Sequence, residues 1–364
     1  MSAGNPWLAA RNLLAVRLDN AGDVVMLGPA LRAIKTTLPD CQITLLASPA
    51  GAKAAALLPR LDSVLVWRSI WQDLGKLPLD PARENELIQL IAERSFDAAV
   101  IFTSFSQTPH VAAYVCYLAG IPLRAGESKE FGGGTLSTEL RGTPDATHQV
   151  DRNLHLVQAL GFTEIDPALE IAISDTSREV VGRRLWSVGI APDQPFVVLH
   201  PGASAAARRY PEARFGQLAD LLLNRGWPLV VTGSERERDL LESVAGGNEA
   251  IPVLTDLSIQ EFAALIARAS AVVCGNTLPM HLADATGTPV VALYSGTELI
   301  SQWCPRFAPS RVLQRATDCA PCYRFTCPIG LPCLDVDPLE VVAAIEELAP
   351  LAPASTGQPQ MVTA

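Results

Sequence analysis

Two consecutive sets of short apolar runs, each run followed by a segment of helical spacing, constrain this chain more than any other feature. In the first half the runs are "LLAVR" (13–17), "QITLLA" (42–47), "SVLVW" (63–67) and "DAAVIF" (97–102). In the second half they are "FVVLH" (196–200), "PLVVTG" (228–233), "AVVCG" (271–275) and "PVVALY" (289–294). Alternation with helical patterns such as "ENELIQLIAER" and "EARFGQLADLLLNRG" predicts parallel βα units. The restart of the pattern predicts two Rossmann-like α/β domains facing each other across a cleft, and 364 residues exceed what one core ordinarily serves.

The expected division is a first domain over 1–175 and a second over 176–335, followed by a helix over 336–349 and a disordered tail over 350–364. The polar, glycine-rich stretch "ESKEFGGGTLSTELRGTPDAT" offers little to a core and is expected to be a mobile loop over 127–147.

The totals narrow the function. A formal charge of −10 argues against a nucleic-acid partner, which ordinarily needs a basic face. Lysines occur only at Lys35, Lys53, Lys76 and Lys129, so a phosphate clamp in the second half must use arginine or backbone N–H groups. No run of about 20 apolar residues appears, and the N-terminus lacks a basic region leading into an apolar one. These points predict a soluble cytoplasmic protein, with peripheral contact at the inner face of the plasma membrane left open.

Neither first strand is followed by G-x-G-x-x-G, which disfavours a nicotinamide or flavin dehydrogenase, and the P-loop pattern is absent too. What remains is one acidic and one basic loop at strand C-termini. In "RLDNAGDVV" Gly22 permits a sharp turn and Asp23 sits where a helix begins. There it can face the cleft as a proton acceptor for a substrate hydroxyl, or simply cap the helix. Asp19 and Asn20 are weaker candidates that read better as turn formers. In "HPGASAAARRYP" the chain leaves a strand at His200, passes Ser204 and small residues that admit a phosphate, and reaches Arg208, suited to a two-point phosphate contact. Arg209 reads equally well as a solvated surface residue.

Glu235 follows another strand and can accept from a ribose or cap a helix. In "CGNTLPMHLADATGTP", Asn276 and Thr277 can cap a helix whose first N–H groups suit a diphosphate. Leu278, Met280 and His281 lie in its first turns, and a lone histidine among small residues packs in a core more often than it catalyses.

In order, these segments resemble family 9 glycosyltransferases, the ADP-heptose heptosyltransferases of lipopolysaccharide assembly. The match rests on Val16 to Pro39, on "HPGAS…RRYP", on "LSIQEFAALIARA" (257–269) and on "PMHLADATGTP" (279–289), and it spans about residues 12 to 348. The resemblance implies a GT-B fold and an inverting transfer that requires no metal or other cofactor. The acceptor would bind mainly to the first domain, and the ADP-sugar, ADP-heptose favoured, to the second. Asp23 would be the general base, with Asn20 and Gly22 on the acceptor-side loop. His200, Ser204, Arg208, Glu235, Asn276, Thr277, Leu278, Met280 and His281 would be donor contacts. Where the family usually has Asp-Thr-Gly, this chain has Asn276-Thr277-Leu278, so its sugar or nucleotide preference is expected to differ. The acceptor, whether glycan, lipid-linked or small molecule, is not specified. Another GT-B activity, such as transfer of a different sugar or epimerisation, and an inactive sugar-nucleotide binder are the alternatives.

Four of eight cysteines crowd into Cys319, Cys322, Cys327 and Cys333. A structural Zn or Fe thiolate site fits their number and the first Cys-x-x-Cys pair; buried free thiols or a disulfide fit as well.

Overall fold

The structure is a computed structural model that describes residues 4–73, 77–163 and 165–351. The first half forms one six-stranded parallel sheet of β1 (Asn12–Arg17), β2 (Gln42–Ala47), β3 (Ser63–Val66), β4 (Ala98–Ile101), β5 (Leu123–Glu127) and β6 (Thr138–Leu140), in the order β3-β2-β1-β4-β5-β6. The second half repeats the arrangement with β7 (Val197–His200), β8 (Leu229–Thr232), β9 (Val253–Leu254), β10 (Ala271–Gly275), β11 (Val290–Leu293) and β12 (Ser310–Leu313), in the order β12-β11-β10-β7-β8-β9. Strands covered by helices on both faces must be apolar throughout, and Leu13 to Val16 and Val197 to Leu199 are buried without alternation.

Each sheet reverses its strand order once, between β1 and β4 and between β7 and β10. At these switch points adjacent loops diverge and leave a crevice beyond the strand C-termini. The registers bring Val16 beside Ile101 and Cys274 beside His200. The loops after β1 and β7 therefore open at the two switch points.

The eight apolar runs all form strands. The segment 127–147, expected as a loop, instead completes the first sheet: it holds a 3-10 turn at Gly133–Thr135 and edge strand β6. Its partner β5 escapes the apolar pattern because it carries two buried charges. Arg124 donates to the carbonyls of Ile121, Pro122 and Thr135, and Glu127 pairs with Arg152 at 2.5 Å. The two-residue β9 and the half-buried β12 lie at or near sheet edges and offer too little apolar sequence to stand out.

The helix Pro338–Leu348 packs on the helix Glu212–Asn224 and on β11, so it belongs with the second sheet. Residues 352–364 of the expected tail lie outside those described.

The two halves share a continuous apolar cluster whose members run from Trp7 to Trp303. Polar contacts fix their orientation. His148 Nε2 meets the Cys304 carbonyl at 3.0 Å, Arg306 pairs with Asp151 at 2.6 Å, and Gln260 Nε2 donates to the carbonyls of Ala56 and Ala172 at 2.6 and 3.0 Å. Among the described residues no helix is long and apolar enough to cross a membrane.

Candidate active site

β1 ends on Arg17, whose side chain is wholly buried. A buried guanidinium needs counter-charge, and the loop that follows supplies two carboxylates. Arg17 Nε lies 2.9 Å from Asp19 Oδ2, and Arg17 Nη2 lies 2.9 Å from both Asp23 Oδ1 and Ser104 Oγ. Asp19 also accepts from Gln107 Nε2 at 2.5 Å; burial pushes its carboxyl up and Arg17 opposes the rise.

Asp23 occupies the first turn of the short helix Ala21–Val25, where Oδ2 accepts from the Asn20 backbone N–H at 3.2 Å. Its side chain is 17% exposed, and it lines the cleft. The capping and cleft-facing readings are therefore both true: one oxygen closes the turn and the other meets Arg17, while the carboxylate faces the second half. Two anchors fix the carboxylate and each oxygen keeps a lone pair free.

On the opposite wall β7 ends on His200. The small-residue loop follows, and Arg208 sits in the 3-10 turn Ala206–Arg208. The backbone of Arg208 lies against β10, where a Cβ on Gly275 would come within 2.9 Å of its carbonyl oxygen, so only glycine permits the approach. The guanidinium donates to Glu298 Oε1 at 2.6 Å and Thr297 Oγ1 at 3.3 Å. Asn276 Nδ2 donates to the other Glu298 oxygen at 3.3 Å, and Asn276 Oδ1 accepts from Ser295 N and Oγ at 3.4 and 3.3 Å. Burial raises the Glu298 carboxyl; Arg208 lowers it, and Asp23, sensed across the cleft, raises it further.

The helix Leu278–Thr286 starts at this wall, but not with the expected caps. Asn276 spends its amide on Glu298 and Ser295. Thr277 makes no capping bond, and its Oγ1 is buried without a hydrogen-bond partner among the described residues. Pro279 removes one amide donor from the first turn. Leu278 lines the cleft, but Met280 is fully buried in the core and does not, because helical periodicity turns it inward.

His281 touches the cleft and packs against Gly22; burial lowers its pKa to about 4. His200 is likewise lowered to about 4 by burial, packs its ring at a tilt on Phe262 at 5.3 Å, and leaves Nδ1 without a hydrogen-bond partner among the described residues. Both rings are neutral at pH 7.

Asn20, Gly22, Asp23, His200, Ser204, Arg208, Asn276, Thr277, Leu278 and His281 thus share one cleft of about 530 Å³. Glu235 is not in it. It lies beside an adjoining hollow of about 590 Å³, bound to Arg238 through both oxygens at 2.6 Å and accepting from Thr255 Oγ1 at 2.6 Å; the Arg238 bonds lower its carboxyl to about 2. Glu237, two residues on, lines both spaces. Arg209 holds the basic loop through the Ala203 carbonyl at 2.9 Å.

The four clustered cysteines are free and range from exposed Cys319 to buried Cys333. Among the described residues no three His, Cys, Asp or Glu side chains converge as metal ligands. As placed, the thiols do not fit a shared ion.

The segment they punctuate does reach the cleft, through Tyr323, Arg324 and Phe325. Tyr323 packs on Phe105 of the first half at 5.3 Å, and the backbone N–H groups of Cys322 and Tyr323 donate to the carbonyls of Gly296 and Thr297 at 2.9 Å.

Residue patterns alone missed Arg17, Gln107, Lys53, Glu237 and Glu298 as lining or supporting groups. The available signal was positional: most lie within a few residues of the C-terminal end of a strand, where an open α/β sheet binds ligands.

The family model described as glycosyltransferase family 9 (heptosyltransferase) matches residues 85–331, over half of the chain. Lipopolysaccharide heptosyltransferase 1 of Pseudomonas aeruginosa is 26% identical over 328 residues, covering 86% of this chain and 87% of its own. Among solved structures, the E. coli ADP-heptose lipopolysaccharide heptosyltransferase II superposes with a TM-score of 0.74 at 19% identity over 93% of this chain and 98% of its own. The E. coli heptosyltransferase WaaC, solved with ADP-2-deoxy-2-fluoro heptose, gives a TM-score of 0.67 at 18% identity over 92% and 99%.

Proposed function

This chain belongs to glycosyltransferase family 9 and has the GT-B fold, and from that premise we propose that it moves a heptose or related sugar from an ADP-sugar to an acceptor hydroxyl, with inversion at the anomeric carbon. The observation that carries the reading is the meeting of Asp23 and Arg208 in one cleft, each delivered by a loop at its sheet's switch point. Attack at C1 requires the acceptor oxygen to lose its proton as the bond forms; Asp23 takes it. The departing ADP gathers negative charge; Arg208 and the N-terminal end of the helix Leu278–Thr286 offset it. Attack from the Asp23 wall on a donor held at the Arg208 wall proceeds from the face opposite the leaving group, which inverts the centre.

In this reading residues 1–175 hold the acceptor and 176–335, with the helix over 336–349, hold the donor. The adenosine occupies the hollow beside Glu235 and Glu237. Leaving-group charge is met by Arg208, so EDTA is expected to leave the rate unchanged. A Zn or Fe ion at the cysteines would need the four thiols to move together, and elemental analysis of protein purified without oxygen tests for it. Contact of the acceptor half with a membrane surface is supported by the helix His110–Leu118, which leaves Val111, Tyr114, Tyr117 and Leu118 exposed. Co-sedimentation with anionic vesicles tests that contact.

The deciding experiment is a calorimetric screen of ADP-heptose, ADP-glucose and UDP- and GDP-sugars, followed by turnover with the donor that binds. Preference for ADP-heptose is expected. Preference for a UDP- or GDP-sugar overturns the donor assignment, and binding without transfer to any glycan or lipid-linked acceptor favours an inactive binder.

A further inference from the structure

The carboxylate of Glu298 has no role in the chemistry above, yet it sits among the groups assigned to the donor. It is 17% exposed and lines the cleft, with Oε1 on Arg208 at 2.6 Å and Oε2 on Asn276 at 3.3 Å. Each oxygen keeps a lone pair beyond these contacts.

A carboxylate accepts hydrogen bonds and repels phosphate, so Glu298 cannot serve the diphosphate that Arg208 is placed to hold. What it can accept is an O–H. On a nucleotide-sugar the hydroxyls nearest the diphosphate belong to the transferred sugar or to the ribose on the other side. The hollow assigned to the adenosine is lined by His200, Glu235 and Glu237 and not by Glu298, whereas Glu298 lines the same cleft as Asp23. That position puts it where the sugar meets the acceptor.

We propose that Glu298 reads the hydroxyls of the donor sugar and that Asn276 orients it; this rests on the nucleotide-sugar reading above. Glu298 also neutralises Arg208. When the diphosphate takes Arg208, the freed Glu298 oxygen turns to the sugar. A donor lacking the sugar gains nothing from Glu298, and a complete donor does.

The test compares the affinity of the nucleoside diphosphate with that of its sugar, using calorimetry on the full chain. For Glu298→Gln the affinity for ADP is expected to hold or improve, since Arg208 loses its counter-charge. The advantage of ADP-heptose over ADP is expected to fall about tenfold or more, the worth of a hydrogen bond to a charged acceptor.

Asn276→Asp alone sets two carboxylates against each other and is expected to weaken the complete donor. Asn276→Asp with Glu298→Gln moves the charge by one side chain and is expected to restore much of the advantage. An unchanged ratio in Glu298→Gln, with the variant folded by its melting curve, overturns the proposal. If the wild type prefers another nucleotide-sugar, the same ratio is taken against that donor's diphosphate. A failed heptose assignment is thus told apart from a failed role for Glu298.

Discussion

A Cβ on Gly22 would stand 2.9 Å from His281 Cδ2 and 3.5 Å from its Nε2, so the two halves of the protein meet at a point where only glycine fits. The contact joins the helix bearing Asp23 to the helix Leu278–Thr286 on the Arg208 wall.

Gly22→Ala is expected to push these helices apart. Overpacking of a closed contact costs about 1–3 kcal/mol, so the melting temperature should drop by several degrees. The acceptor's distance from C1 should grow as well, lowering kcat more than donor affinity. The paired variant Gly22→Ala/His281→Ala, which clears the space, should recover part of the stability; equal losses in both would show that the contact does not set the spacing.

Asp23→Asn keeps the size of the side chain and removes the proton acceptor. Loss of a general base lowers kcat by about 10²–10⁴-fold. Donor affinity, measured calorimetrically, should stay within a few-fold, since Asp23 lies on the wall opposite Arg208. A variant that turns over normally would return Asp23 to the role of a helix cap and partner of Arg17.

Arg208→Ala removes the cation assigned to the diphosphate and leaves the half-buried Glu298 without its counter-charge. Two effects act together, a lost charge-assisted bond and an added repulsion of phosphate, so ADP affinity should weaken by about tenfold or more. Arg208→Ala/Glu298→Gln should bind ADP better than Arg208→Ala, because the repelling charge is gone. Titration of both variants with ADP checks this.

The strands most visible in the sequence are those with the simplest environment. Leu13 to Val16 and Val197 to Leu199 meet only apolar neighbours, and their composition says so. β5 hides because its buried charges Arg124 and Glu127 take partners outside the strand, the carbonyls of Ile121, Pro122 and Thr135 and the side chain of Arg152. The same reason separates Asp23 and Arg208, legible from their turn-forming neighbours, from Glu298. Glu298 lies 22 positions beyond its partner Asn276 and follows no turn of recognised pattern. Met280 shows the reverse error, where adjacency in a motif stood for adjacency in space although helical geometry buries every third or fourth side chain.

The cysteines should differ widely toward an alkylating reagent, because the thiolate is the reacting form. Cys327 is lowered by the backbone N–H groups of Ile329 and Leu331, and Cys319 is exposed. Burial raises Cys41 to about 11 and Cys116 to about 12, and raises Cys274 further. Mass spectrometry of protein treated briefly with iodoacetamide at pH 7.5 should find Cys327 and Cys319 modified first and Cys274 last. Protection of all four clustered thiols together would point instead to a bound ion.

Acid should destabilise the fold through its buried histidines. His281 titrates near 6.5 when unfolded and about 4 when folded. Between these values the unfolded chain binds the proton and the folded chain does not, so stability falls as pH drops from about 6.5 toward 4. His200 acts in the same window and direction. Asp19 and Glu298, whose carboxyls are raised by burial, act in the opposite sense, since the folded state holds their protons longer. The net slope therefore sums contributions of both signs, and a difference between variants isolates one. In urea unfolding at pH 7 and pH 5, His281→Gln should lose less stability on acidification than the wild type, by about 2 kcal/mol. Equal losses in the two proteins would show that His281 takes up its proton as readily folded as unfolded, which would overturn the effect of its burial.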